Sequence, residues 1–153
     1  MPGSWARARS RVYASAAMTT TTLERGCIGS QATTEGITVR VQPTWLARES
    51  SPAHGRWVFS YQVQLVNDSP TPVQLVSRRW AIVDADGDSH VVEGDGVVGQ
   101  QPRLAPGESF RYGSYCPLAT EWGTMEGTFT LVREDGTRFD AQVRRFYLVG
   151  SPE

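Results

Sequence analysis

From Glu35 onward the chain alternates apolar and polar residues with a period of two. Ile37, Val39 and Val41 alternate with Thr38, Arg40 and Gln42, which predicts a half-buried strand. Pro43 then interrupts it, as suits a sheet edge. Trp57, Phe59, Tyr61, Val63 and Leu65 alternate with Val58, Ser60, Gln62, Gln64 and Val66, the clearest strand in the protein and the expected source of its core. Further strands are predicted over residues 73–83, around His90-Val91-Val92, from Phe110 through Ser114, and over 125–132. Near the end Phe139, Ala141 and Val143 share one parity, and Phe146 and Leu148 share the other. A phase change at Arg144-Arg145 predicts a β-bulge.

The breaks between these runs carry turn chemistry. Asn67-Asp68-Ser69-Pro70, Asp84-Ala85-Asp86-Gly87-Asp88 and Leu104-Ala105-Pro106-Gly107 each reverse the chain, and Glu134-Asp135-Gly136-Thr137 reads as a hairpin. Residues 50–55 read as a loop. No stretch shows apolar residues at helical spacing. The pattern predicts an all-β protein, a sandwich or barrel of about seven to eight antiparallel strands. Residues 1–32 lack this pattern: Arg7, Arg9 and Arg11 lie among Ser and Ala, and no acid precedes Glu24. A mitochondrial transit peptide has that composition. A disordered tail is preferred, with Met18 as an alternative start. The domain is expected over 33–149, with a short tail at 150–153.

Composition narrows the function. At 153 residues the chain makes one domain, large enough for a core without disulfide staples. Charged residues are 20% and the formal net charge is −1, so no basic excess is available to neutralise nucleic-acid phosphates. All 15 basic residues are Arg. Cys27 and Cys116 make neither a disulfide framework nor a zinc pattern, and are expected as free thiols in a reducing cytoplasm. No apolar run approaches the ~18 residues of a membrane span.

One stretch stands apart: Gly94-Asp95-Gly96-Val97-Val98-Gly99-Gln100-Gln101-Pro102 packs three glycines between strand-like segments. Gly94, Gly96 and Gly99 spell G-x-G-x-x-G. A dinucleotide site needs a helix after this motif. Val97-Val98 favour strand, and Pro102 and Pro106 come too soon for a helix. Two readings remain: a tight hairpin or bulge with close strand packing, which is preferred, or a nest of N–H groups around an anion. Arg103 or Arg111 would supply the counter-charge for the nest, and Glu93 and Asp95 would oppose it. Asp84, Asp86, Asp88, Glu93 and Asp95 form the densest acidic cluster. They offer oxygen ligands for a hard cation, but a solvated turn is the preferred reading and no metal residue is assigned. Ser114, Cys116 and His90 do not form a recognisable nucleophilic set.

In order along residues 33–149, Gly36-Ile37-Thr38-Val39, Arg79-Trp80-Ala81-Ile82-Val83-Asp84, the 94–102 stretch, Leu104-Ala105-Pro106-Gly107-Glu108, Phe110-Arg111-Tyr112, Gly123-Thr124-Met125-Glu126-Gly127 and Phe146-Tyr147-Leu148 resemble the ApaG family. The resemblance implies an immunoglobulin-like or fibronectin type III-like β-sandwich. It also implies a link to cobalt resistance and magnesium efflux, and use as an interaction module. A pyrophosphate or nucleotide proposal for the glycine motif comes with it. The expectation is a non-enzymatic, cytoplasmic binding module without a cofactor. Its candidate ligand-binding residues are Gly94, Asp95, Gly96, Val97, Val98, Gly99, Gln100, Gln101 and Arg103. It would take a protein partner or a small anionic ligand, or pair with a second copy through an edge strand. The alternative is a pyrophosphate- or nucleotide-binding protein, including a Mg²⁺-dependent hydrolase.

Overall fold

The structure is a computed structural model and describes residues 27–150. Nine strands form two antiparallel sheets, a β-sandwich as the alternation predicts: β1 Ser30–Thr34, β2 Ile37–Trp45, β3 Trp57–Asn67, β4 Val73–Asp84, β5 Ser89–Asp95, β6 Arg103–Leu104, β7 Ser109–Leu118, β8 Trp122–Arg133 and β9 Arg138–Val149. One sheet runs β1-β2-β3-β7. The other runs β5-β4-β8-β9, with β6 also paired to β4. The 50–55 loop contains one of two short 3-10 turns, Ala47–Glu49 and Pro52–His54. No helix among the described residues is long and apolar enough to cross a membrane.

The inner faces meet on Trp80. Its ring stands edge-on to Tyr61, Phe129 and Phe146, with centroids 5.4 to 5.9 Å apart. Edge-to-face packing suits the quadrupoles of these rings. The alternating residues of β3 fill the other half, with Phe59, Tyr61, Val63 and Leu65 all buried.

Two extra residues reset the phase of the second sheet. Met125 pairs with Phe146 and Gly127 with Val143, so Arg144 and Arg145 together oppose Glu126. This is the bulge expected at those arginines. A second bulge was not expected: Leu75 pairs with Leu131 and Ser77 with Thr130, leaving Val76 extra. After Val76 the even-numbered residues of β4 face inward, so Arg78 shares a face with Trp80 and Ile82.

The expected boundary of the N-terminal tail at residue 32 shifts. Residues 1–26 lie outside the described residues, but Cys27 is buried and Ser30–Thr34 is a strand. β1 and the segment before it close one side of the sandwich against β9. The backbone of Ile28 exchanges hydrogen bonds with that of Tyr147 at 3.3 and 3.0 Å, and the Gln142 amide donates to the Thr34 hydroxyl at 3.1 Å. At the other end Gly150, expected in the short C-terminal tail, is buried, and its amide donates to the Glu121 carbonyl at 2.8 Å; residues 151–153 lie outside the described residues. β2 is not an edge strand, being flanked by β1 and β3. Pro43 nevertheless lies past the reach of β1, whose first residue Ser30 pairs with Val41. Its missing N–H therefore costs no ladder bond on that side.

Candidate functional site

β5 and β7 are the edge strands on the side opposite β1 and β9. An open edge exposes core and unpaired backbone. The glycine-rich stretch folds over this side. Val97 is fully buried in the core, and Val98 packs against it. Beneath them lie Tyr61 of β3, Arg78 and Trp80 of β4, and Tyr112 and Ser114 of β7.

The backbone of the stretch is a two-residue hairpin. The Val97 amide donates to the Gln100 carbonyl at 2.8 Å, and the Gln100 amide returns a bond to Val97 at 2.8 Å. The central residues Val98 and Gly99 have φ of 42° and 82°. Two positive φ values mark a type I′ turn. Glycine is natural at the second position, whereas a β-branched residue at the first is under strain. The Gly96 amide donates to the Val76 carbonyl at 2.8 Å. A Cβ on Gly96 would sit 2.3 Å from the Gln100 carbonyl oxygen, so the turn closes only over a glycine. The Gln101 side chain donates to the same Val76 carbonyl at 2.9 Å, and Gln74 donates to the Gln101 carbonyl at 3.1 Å. The bulge at Val76 thus turns a carbonyl out to hold the stretch in place.

This geometry places each candidate. The amides of Gly96, Val97 and Gln100 are committed within the protein and do not converge on a nest. The pleat of β5 alternates the others: Gly94 pairs with inward-facing Arg78, while Glu93 and Asp95 pair with outward-facing Arg79 and Ser77. Glu93 accepts from Arg79 at 3.1 Å on that outer face. Arg103 reaches Gln74 at 3.5 Å, and Arg111 lies across from Gln64 in the other sheet. The acidic groups expected to oppose an anion, and the arginines expected to attract it, are therefore not grouped at one point.

Arg78 was not among the expected site residues. Its guanidinium lies over Gly94, where a Cβ would come within 2.9 Å of Nη1. The same Nη1 donates to the carbonyls of Gly96 and Asp95 at 2.8 and 3.2 Å. Tyr112 is 2% exposed, and its hydroxyl has no hydrogen-bond partner among the described residues. Burial pushes the hydroxyls of Tyr112 and Tyr61 well above the ordinary tyrosine range, so both stay protonated. Ser114 hydrogen-bonds Tyr61. Arg78 was legible in principle: counting back in twos from Ile82 and Trp80 reaches an arginine in core phase.

The other clusters resolve into structure. The Asp84 carboxylate accepts from the amides of Asp86 and Asp88 at 2.9 and 3.0 Å, which shapes the turn. Ligand oxygens of Asp84, Asp86 and Asp88 lie within 4.8 Å of one another, and Glu93 and Asp95 do not join that group. Ser114 and Cys116 are buried on β7, and His90 is exposed on β5 of the other sheet. Burial pushes the Cys116 thiol up to about 12, which leaves it protonated. Cys27 and Cys116 are free thiols.

The outer face of the β5-β4-β8-β9 sheet holds a feature the sequence reading missed. Cross-strand register sets Val91 beside Ala81, Val83 beside Thr124, Thr124 beside Tyr147, and Trp122 beside Val149. Ile28 bridges to Tyr147. Val91, Trp122, Tyr147 and Ile28 are 38% to 54% exposed. Together they form an apolar stripe across one end of this face. The corresponding face of the other sheet carries Arg40, Gln42, Gln62 and Gln64.

This chain is similar to known proteins in sequence and in fold. A family model described as the ApaG domain matches residues 47–133. Protein ApaG of Anaeromyxobacter dehalogenans (strain 2CP-C) is 54% identical over 120 residues, covering 78% of this chain and 94% of that protein. Protein ApaG of Xanthomonas campestris pv. campestris (strain B100) is 45% identical over 112 residues, covering 73% and 88%. A Bordetella pertussis crystal structure solved under the name ApaA is 40% identical, with a TM-score of 0.74, over 82% of this chain and 99% of that one. With a matching domain model and close relatives aligned along most of their own length, this chain belongs to the ApaG domain family.

Proposed function

We propose that this protein is a non-enzymatic binding module that docks a protein partner on the apolar stripe of the β5-β4-β8-β9 sheet. The stripe is the observation that carries the reading. Apolar side chains left in water across four strands gain stability when a second surface covers them. The charges beside the stripe come in both signs: Arg79 pairs with Glu93 and Arg145 with Glu126, and the carboxylates of the Asp84–Asp88 turn lie at its end. That rim suits a protein surface. It has no single-sign field for nucleic acid or an anionic membrane. Cobalt resistance and magnesium efflux, which accompany the family resemblance, would follow from the partner that this face engages.

The test is complementation. A bacterial strain lacking its own ApaG protein would be given this chain and scored for growth in cobalt. Trp122→Asp with Tyr147→Ser should fail to restore tolerance while keeping the wild-type unfolding midpoint within a few degrees. Gln64→Asp, on the opposite outer face, should restore it. Rescue by the Trp122/Tyr147 variant equal to wild type would sink the assignment. Sedimentation velocity of the two forms distinguishes a second copy from a different protein as the occupant. A phosphate-cradling loop is less favoured, because three of the loop amides already have internal partners.

A further inference from the structure

We infer that the recess beneath the 94–103 stretch is a binding site for one oxygen of an oxyanion, a carboxylate or a phosphate, held by Arg78 and Tyr112. It is separate from the stripe: Arg78 faces into the sandwich, and the stripe lies on the outside of the same sheet.

Three observations converge here. The first is an unanswered donor. The Tyr112 hydroxyl is buried, lines the recess and has no partner among the described residues. A buried hydroxyl left unbonded costs on the order of 1–3 kcal/mol, so an acceptor at that point is favoured. The second is charge. Arg79, Arg133 and Arg145 each pair with a glutamate, whereas the hydrogen bonds of half-buried Arg78 go to two backbone carbonyls. A guanidinium drawn out of water calls for a negative partner. The third is the sign of the surroundings. β5 turns Glu93 and Asp95 to the other face of the sheet and presents Gly94 here, so no carboxylate competes.

The size of the recess limits what enters. It measures about 10 Å³, room for the centre of one water-sized group. One oxygen fits between Arg78 and Tyr112, and the rest of the ligand stays outside, over Val98. A carboxylate and a phosphate share this chemistry. A bare chloride offers charge without the directed lone pairs that a guanidinium N–H and a phenol O–H select.

The experiment uses the full chain, with formate, acetate and inorganic phosphate each titrated against sodium chloride at equal ionic strength. Amide chemical shifts and the unfolding midpoint are both followed. The expected result is a saturable shift centred on Val97, Val98 and Ser114, with a matching rise in midpoint. Tyr112→Phe keeps the ring packing and should weaken binding about tenfold, as befits the loss of a hydrogen bond to a charged group. Arg78→Gln should abolish it. If Arg78→Gln does not fold, Tyr112→Phe alone decides. The carboxylate and phosphate arms show which source binds tighter. A linear midpoint rise equal in wild type and Tyr112→Phe is a general salt effect and overturns the assignment. So does a wild type that responds to no oxyanion beyond chloride, which would leave the recess to a water molecule.

Discussion

Gly96 and Gly99 carry the same letter of one motif for different physical reasons. At Gly96, φ is 64° and an added Cβ would strike the Gln100 carbonyl, whereas at Gly99 φ is 82° and nothing lies within 4 Å. Gly99→Ala therefore costs only the left-handed backbone penalty, about 1–2 kcal/mol. Gly96→Ala adds a clash inside the turn and should cost on the order of 3 kcal/mol or more. Urea denaturation of the two variants checks this, and equal losses would refute the distinction. The sequence showed that three glycines shape this stretch. It did not show which one bears the close approach, because that contact lies between residues brought together by the turn. Arg78 was hidden for a related reason. The extra residue at Val76 breaks the count from Leu75, so a reader going forward along the strand assigns Arg78 to the wrong face.

At the scale of elements, the apolar alternation made the long strands legible. β3, β8 and β9, with the bulge at Arg144-Arg145, follow their own pattern. β1 did not, because Ser-Gln-Ala-Thr-Thr offers no apolar face. It is specified by what it pairs with: β2 through the ladder and β9 through Ile28 and Thr34. Glu35 reaches across the same seam to an ion pair with Arg133. Measured against the full chain, a protein beginning at residue 35 loses buried Cys27 and the whole of β1, and should lose several kcal/mol. Thermal unfolding of the two forms reads the difference; equal midpoints would show that β1 adds nothing.

For the molecule as a whole, the buried acids set an alkaline limit. Cys27, Cys116, Tyr61 and Tyr112 all have folded-state pKa values raised by burial, and they come from both edges and the centre of the sandwich. Well below the ordinary thiol range of about 8.5 all four are protonated whether folded or not, and they contribute no pH dependence. As pH rises through about 8 to 10 the unfolded chain loses these protons, thiols first, while the folded chain holds them. Stability therefore falls, and the Cys116 contribution is lost progressively until about pH 12. Denaturation midpoints measured from about pH 6.5 to 11 should be flat and then decline. Cys116→Val should decline less steeply, and an unchanged slope would remove the thiol from the explanation.

The backbone exchange between Ile28 and Tyr147 has a consequence for how such a domain can be deployed. It leaves the first and last described residues on the same seam of the sandwich. A folded unit whose ends meet can be spliced into a surface loop of a larger protein, with chain entering and leaving at one spot and the host barely stretched. The same property allows the order of the strands to be rewired: a short linker across the seam, with new ends cut in the Asp135-Gly136 hairpin, keeps every ladder intact. In the evolution of composite proteins, this unit is as easy to insert as to append.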